Sequence, residues 1–181
     1  MTNDIRISVV GLGNILLGDD GVGVHALLKL RDTFQDARVE CLDGGTLGVG
    51  LLPYLERSTH VLFLDAVEAP ATLRADGEVL DLPLGDESCE LPLRLSPHDL
   101  GLAELARLLR MRAGDRPLTL RVLGARPASL DVGTELSSTT ERALPHLIAR
   151  AATIVRAWLR EANSEQEAPA CASPSPARSS R

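Results

Sequence analysis

Aromatic residues and lysine are scarce in this chain of 181 residues. One Trp, one Tyr and two Phe make up 2% of the sequence, so Leu, Val, Ile and Ala must fill the interior. Lys29 is the one lysine among 19 basic residues. The chain has 25 acidic residues, so its net charge is −6. No basic patch with interleaved aromatic residues occurs in the sequence, which argues against nonspecific binding to nucleic acid.

Paired cysteines and long apolar runs are also missing. Cys41, Cys89 and Cys171 are widely spaced and form no C-x-x-C pair, which indicates neither a disulfide framework nor a zinc knuckle. The N-terminus lacks the basic-then-apolar build of a signal peptide, and no apolar run approaches the roughly 20 residues of a membrane span. We therefore expect a cytoplasmic protein without membrane insertion.

The pattern that is present alternates strands with helices. Strands are predicted by short apolar, β-branched runs at 5–11, 38–43, 60–67, 77–83 and 118–125. Helices are predicted by helical spacing of apolar residues at 21–34, 47–58, 98–112 and 137–163. This alternation predicts one α/β domain over 1–163, with three α/β/α layers and a largely parallel, twisted, five-stranded sheet flanked by helices. Residues 164–181 are small, polar and rich in Pro and Ser, which predicts a disordered tail.

The stretch GLGNILLGDDGVG follows the first predicted strand and has the glycine spacing of a phosphate-binding loop. Gly13 and Gly18 keep the G-x-x-x-x-G pattern, but Asp19 and Asp20 stand where such a loop needs Lys and Ser or Thr. Leu16 occupies the third glycine position of a dinucleotide fingerprint. Because two carboxylates would repel a phosphate, we expect a cation at this loop and no nucleotide cofactor.

Asp19 and Asp20 also precede a predicted helix, so one of them is expected to be its N-cap. Capping by two adjacent acids is redundant. The other carboxylate is therefore expected to point into the crevice at the sheet edge.

Polar residues follow the predicted strands at the edge where parallel sheets bind ligands. They are Asn14, Asp19 and Asp20 after the first strand, Asp43 with Gly44, Gly45 and Thr46 after the second, Asp65 at the end of the third, and His98 after the fourth. Asp65 ends an apolar run, and a buried carboxylate is costly unless it is hydrogen-bonded, paired or bound to a metal. Backbone hydrogen bonds alone would also explain Asp65, and Asp43 before two glycines is equally consistent with a turn residue.

His98 lies in the sequence Ser96-Pro97-His98-Asp99, which is typical of a helix start. The positive end of the helix dipole disfavours an imidazolium there, and a neutral imidazole is the form that binds a metal. A half-exposed histidine without a ligand is the alternative interpretation. Two carboxylates and one imidazole from three loops could hold nickel or zinc and leave coordination positions open.

Four motifs together resemble those of the hydrogenase maturation endopeptidases, in the same order and at the same separations: GLGNILLGDDGVG, LDGGTLG, LFLDAV and SPHDLGL. The resemblance covers residues 5–160 approximately and implies a phosphorylase/hydrolase-like α/β fold. It further implies an endopeptidase that removes the C-terminal extension of the nickel–iron hydrogenase large-subunit precursor after nickel insertion. That precursor would be the partner, and a monomer would suffice to process it.

The resemblance also implies which residues act. Nickel, supplied by the substrate and held transiently, would bind Asp20, Asp65 and His98, with Asp20 standing where many family members have Glu. Asp43 is the candidate for proton transfer. The residues implied to form cleft loops that handle the substrate are Asn14, Asp19, Gly44, Gly45 and Thr46.

Two other functions are consistent with the same residues. One is a metallohydrolase that carries its own zinc at Asp20, Asp65 and His98. The other is a non-catalytic, nickel-sensing maturation chaperone that binds the loaded precursor and leaves its mass unchanged.

Overall fold

The structure, a computed structural model, describes residues 5–68, 78–84, 94–95 and 99–167. His98, its neighbours Ser96 and Pro97, and two of the cysteines, Cys89 and Cys171, lie outside these ranges.

Six strands lie in the described residues and belong to one sheet. They are β1 (Ile7–Leu12), β2 (Val39–Gly45), β3 (His60–Glu68), β4 (Val79–Pro83), β5 (Arg94–Leu95) and β6 (Thr119–Ala125). Five follow the order β2-β1-β3-β6-β4, and β5 pairs antiparallel with the end of β3. The first four in that order run parallel, whereas β4 is antiparallel to β6. The predicted five-stranded, largely parallel sheet is confirmed, and β5 is an addition that the sequence did not predict.

The described helices are α1 (Val22–Leu30), α2 (Leu52–Leu55), α3 (Asp99–Ala113) and α4 (Ser138–Glu167). Short 3₁₀ turns lie at Gly18–Gly21, Arg31–Thr33 and Gly48–Leu51. The predicted helix 47–58 is mostly wrong, because Gly48 adopts a φ of 50° and Pro53 lies at the start of a short α2 rather than inside a long one. Similarly, α4 ends at Glu167 rather than at 163, within the segment assigned to the tail.

Helices cover both faces of the sheet. On one face α1 and α4 pack against Leu62 and Leu64 of β3. On the other face α2 and α3 pack against Val61 and Phe63 of the same strand. Because side chains alternate along a strand, each face contributes every second residue to its own core. The three-layer α/β/α architecture is confirmed.

The long helix α4 buries one side against the sheet and exposes the other. Leu147, Val155 and Trp158 are buried along it, whereas His146 and Arg150 are exposed. Neither α4 nor any other described helix combines the length and the apolar character that crossing a bilayer requires. The helix is therefore an outer layer of the domain, bound to it by one apolar face.

Candidate active site

Asp65 lies near the carboxyl end of β3 and is only 3% exposed. Its Oδ1 accepts a hydrogen bond from the N–H of Ala66 at 2.8 Å. Together with the ends of β1 and β2 and the first turns of α3, it lines a pocket of about 20 Å³; the other lining residues are Leu12, Gly45, Thr46, Gly48, Leu51, Leu102 and Leu105. That volume suits a single water-sized species.

Asp20 lies in the 3₁₀ turn between β1 and α1 and is 2% exposed. Its Oδ2 accepts a hydrogen bond from the N–H of Asn14 at 2.6 Å. The side chain of Asn14 in turn accepts a hydrogen bond from the N–H of Leu16 at 3.0 Å, which is typical of an Asx turn. Asn14 therefore shapes the loop that leads to Asp20, and its backbone orients the carboxylate.

A close approach between α1 and β3 brings the turn of Asp20 to the same edge as Asp65. A Cβ atom at Gly23 would lie 2.1 Å from the carbonyl oxygen of Leu64, so glycine is required there. Gly23 lies three residues after Asp20 in the chain, and Leu64 directly precedes Asp65. Since β1 and β3 are adjacent parallel strands, both carboxylates lie at their shared carboxyl edge.

Neither acid of the Asp19–Asp20 pair caps α1, so that prediction is wrong. The N-cap of α1 is Gly21, and no side chain bonds to that helix start. Asp19 is fully buried and bonds instead to the segment between β6 and α4. Its Oδ2 accepts hydrogen bonds from the N–H groups of Ala128 and Ser129 at 2.8 and 3.1 Å and from the hydroxyl of Ser137 at 2.7 Å. Its Oδ1 accepts from the N–H of Ser137, also at 2.7 Å.

These hydrogen bonds keep Asp19 charged. Burial by itself raises the pKa of Asp19, but the hydroxyl and the N–H of Ser137, with further donors, outweigh burial and leave the pKa below its ordinary value. Ser137 also caps α4, since its Oγ accepts a hydrogen bond from the N–H of Thr140 at 3.3 Å. The bonds between Asp19 and this segment were not predicted from the sequence. A serine directly before a long helix was the available signal.

The turn after β2 lies next to the loop after β1. Gly45 has a φ of 43°, and its carbonyl oxygen accepts a hydrogen bond from the N–H of Gly13 at 3.0 Å. Gly44 is buried, and a Cβ atom there would lie 2.7 Å from Cγ1 of Val10. Asp43 and Thr46, on either side of the two glycines, are exposed. The glycines therefore let the turn pack closely, while Asp43 and Thr46 stay exposed.

The start of α3 packs against that same turn. A Cβ atom at Gly101 would lie 3.4 Å from the Cα atom of Gly48. This contact places the beginning of α3, which His98 directly precedes in the chain, next to the turn after β2. Within 5–68, 78–84, 94–95 and 99–167, no three His, Cys, Asp or Glu side chains form a metal-binding group. The predicted ligand set includes His98 and stays a prediction.

His60 and Cys41 lie away from this edge. His60 begins β3 at the opposite, amino end of the strand, where its ring lies 4.9 Å from that of Trp158. Cys41 packs against the core cluster under α1 and α4, and burial raises the pKa of its thiol. Both residues therefore have packing roles.

Comparison with known proteins places this α/β fold in a defined class of peptide hydrolases. The structure of the hydrogenase maturating endopeptidase HybD from Escherichia coli matches with a TM-score of 0.74 and 32% identity, over 84% of this chain and 93% of that one. Among curated sequences, the hydrogenase 2 maturation protease of Escherichia coli K12 is 36% identical over 89% of this chain and 94% of its own. The hydrogenase expression/formation protein HoxM of Cupriavidus necator is 30% identical over 84% and 75%.

A family model described as hydrogenase maturation protease matches residues 24–154. The chain therefore belongs to the hydrogenase maturation proteases, as its four motifs indicated. It is a peptide hydrolase of the endopeptidase type.

Proposed function

We propose that this protease removes the C-terminal extension of the nickel–iron hydrogenase large-subunit precursor after nickel has been inserted, and that it recognises the nickel that the precursor carries. The observation that supports this most is the pair of carboxylates at the shared edge of β1 and β3. Asp20 and Asp65 are 2% and 3% exposed, and they lie at the edge where parallel sheets bind their ligands.

In this proposal Asp20, Asp65 and His98 are the ligands that the enzyme offers to nickel. A backbone N–H group holds one oxygen of each carboxylate, that of Asn14 for Asp20 and that of Ala66 for Asp65. Such hydrogen bonds orient a ligand before the metal arrives. Carboxylate and imidazole donors suit nickel, and three of them leave positions for ligands of the precursor. In this proposal the metal is part of the substrate and is bound transiently.

The enzyme's own contribution to hydrolysis is positioning and proton transfer. We assign proton transfer to Asp43, whose exposed carboxylate lies at the end of β2 next to the turn that lines the pocket. The cleft loops that would position the precursor contain Asn14, Asp19, Gly44, Gly45 and Thr46. We further propose that a monomer acts on the precursor in the cytoplasm and that no nucleotide takes part.

Intact-mass measurement of the precursor tests this proposal. Nickel-loaded and nickel-free precursor would each be incubated with the unmodified protein, with Asp65→Asn and with His98→Ala. We expect loss of a C-terminal peptide from the loaded form only, and not with either variant. Matched controls are Asp115→Asn and His146→Ala, two exposed residues outside the candidate site that should leave cleavage unchanged.

Other outcomes would contradict the proposal in distinguishable ways. Cleavage of both precursor forms, together with stoichiometric zinc in the purified protein, would indicate a metallohydrolase with its own metal. Binding of the loaded precursor without any change of mass would indicate a chaperone.

A further inference from the structure

Two loops next to the turn of Asp20 expose large apolar side chains. Ile15 and Leu16 are 46% and 57% exposed in the loop after β1. Leu130 and Val132 are 37% and 89% exposed in the segment after β6. Single exposed apolar residues are ordinary, but four on two adjacent loops form a patch, and patches often mark interaction sites. We refer to these four residues as the rim surface.

Backbone hydrogen bonds join the two loops. The carbonyl oxygen of Leu16 accepts from the N–H of Gly133 at 2.9 Å, and the N–H of Gly18 donates to the carbonyl oxygen of Gly133 at 2.8 Å. The buried Asp19 carboxylate adds its bonds to Ala128, Ser129 and Ser137. The rim surface is therefore held in place before any partner binds, which lowers the entropic cost of association.

The rim surface extends to the candidate ligand Asp20. A Cβ atom at Gly21, the residue after Asp20, would lie 3.3 Å from Cγ2 of Ile15. Both loops also leave the sheet at the carboxyl ends of their strands, on the edge that carries Asp20 and Asp65. A chain bound on the rim surface would therefore run towards the candidate active site.

A pocket of about 490 Å³ opens between the same loops, within the range of ligand-binding pockets. Its lining includes three carboxylates and no basic residue: Asp19, Asp131 and Glu135. Asp19 is buried and bonded to its own loops, whereas Asp131 and Glu135 are exposed. The two exposed carboxylates complement a basic side chain.

We propose that the rim surface and this pocket bind an extended segment of the substrate protein next to its cleavage site, with apolar side chains on the rim surface and a basic side chain near Asp131 and Glu135. This inference rests on the proposed function, because the large-subunit precursor is its substrate. It adds a substrate-binding surface to the residues proposed for nickel recognition.

Cleavage kinetics of the nickel-loaded precursor test the inference. We expect Val132→Glu and Glu135→Lys each to raise KM by about tenfold or more while kcat stays within about twofold, because binding is weakened and the site of chemistry is untouched. The matched controls are Met111→Glu, which is 66% exposed on α3, and Glu161→Lys, which is exposed near the end of α4. Both controls should keep the KM of the unmodified protein, and thermal melting should show that all four variants are folded.

An unchanged KM in both Val132→Glu and Glu135→Lys would overturn the inference and leave the proposed function standing. Equal increases in the two controls would also overturn it, since the effect would then come from overall charge. If the unmodified protein leaves the precursor uncut, the proposed function fails instead. The dissociation constant for the uncut, nickel-loaded precursor can then be titrated with the same variants, and equal values would overturn the rim surface too.

Discussion

The carboxylate of Asp19 accepts hydrogen bonds from both the N–H and the hydroxyl of Ser137, each at 2.7 Å, across 118 residues of sequence. This pair joins the turn that carries Asp20 to the start of α4. The same carboxylate bonds to Ala128 and Ser129, so one buried charge anchors both ends of the segment between β6 and α4.

Replacing Asp19 should destabilise the protein more than replacing Ser137. Asp19→Ala leaves the partly buried N–H groups of Ala128, Ser129 and Ser137 without their acceptor, and we expect the free energy of unfolding to fall by about 2–4 kcal/mol. Ser137→Ala removes a hydroxyl but keeps the backbone N–H bond, so about 1 kcal/mol is expected. Urea denaturation of both variants measures the difference, and equal losses would contradict the central role of Asp19.

Gly23 should tolerate no side chain. Because a Cβ atom there would lie 2.1 Å from the carbonyl oxygen of Leu64, Gly23→Ala must push α1 away from β3 and displace the turn of Asp20 relative to Asp65. We expect lower thermal stability and a reduced kcat on the precursor. Gly50→Ala is the matched control, since its Cβ atom would meet nothing closer than 3.9 Å. Comparable kcat values in the two variants would contradict the requirement for close approach.

Trp158 should contribute to stability without affecting catalysis. Its side chain is 5% exposed and packs on His60, at the edge of the sheet opposite to Asp65. Trp158→Ala should lower the free energy of unfolding by about 3–5 kcal/mol, while the fraction that stays folded keeps its kcat. Trp158→Phe retains an aromatic ring and should lose less. A fall in kcat in fully folded Trp158→Phe would show that this edge influences the active site.

Asp36 should give stability that depends on pH. Hydrogen bonds from Arg38 lower the pKa of Asp36 to about 2. The pair stabilises the folded state above the unfolded pKa of about 3.9, and this contribution is lost as the pH falls towards 2. Because both side chains are partly exposed, we expect Asp36→Asn to cost no more than about 1 kcal/mol at pH 7. Chemical denaturation at pH 7 and pH 3 should show a smaller difference at the lower pH, and a constant difference would contradict the assignment.

The sequence predicted those elements that are specified by residues close to one another in the chain. β3 is recognisable because a continuous apolar run ends at a carboxylate, which also indicated that Asp65 would be buried. The predicted helix at 47–58 was wrong because glycine and proline conformations divide that stretch into a 3₁₀ turn and the short α2.

Other features depend on partners that are distant in sequence. The antiparallel direction of β4 follows from its pairing with β6, and the apolar pattern of a strand does not encode its direction. The role of Asp19 was missed for the same reason, because an acid before a helix is typical of an N-cap and its actual partner is Ser137. Asp65 was predictable from its own strand, whereas Asp19 required the fold.

The position of β1 and β3 inside the sheet has a consequence for native-state fluctuations. Each of these strands pairs with a neighbour on both sides, whereas β2 and β4 lie at the ends of the strand order. Amide groups of such central strands exchange with solvent hydrogen mainly through global unfolding, while peripheral elements open in smaller, more frequent events. We therefore expect Asp20 and Asp65 to be attached to the part of the molecule whose amides exchange most slowly, so that opening of the outer strands leaves the two carboxylates together.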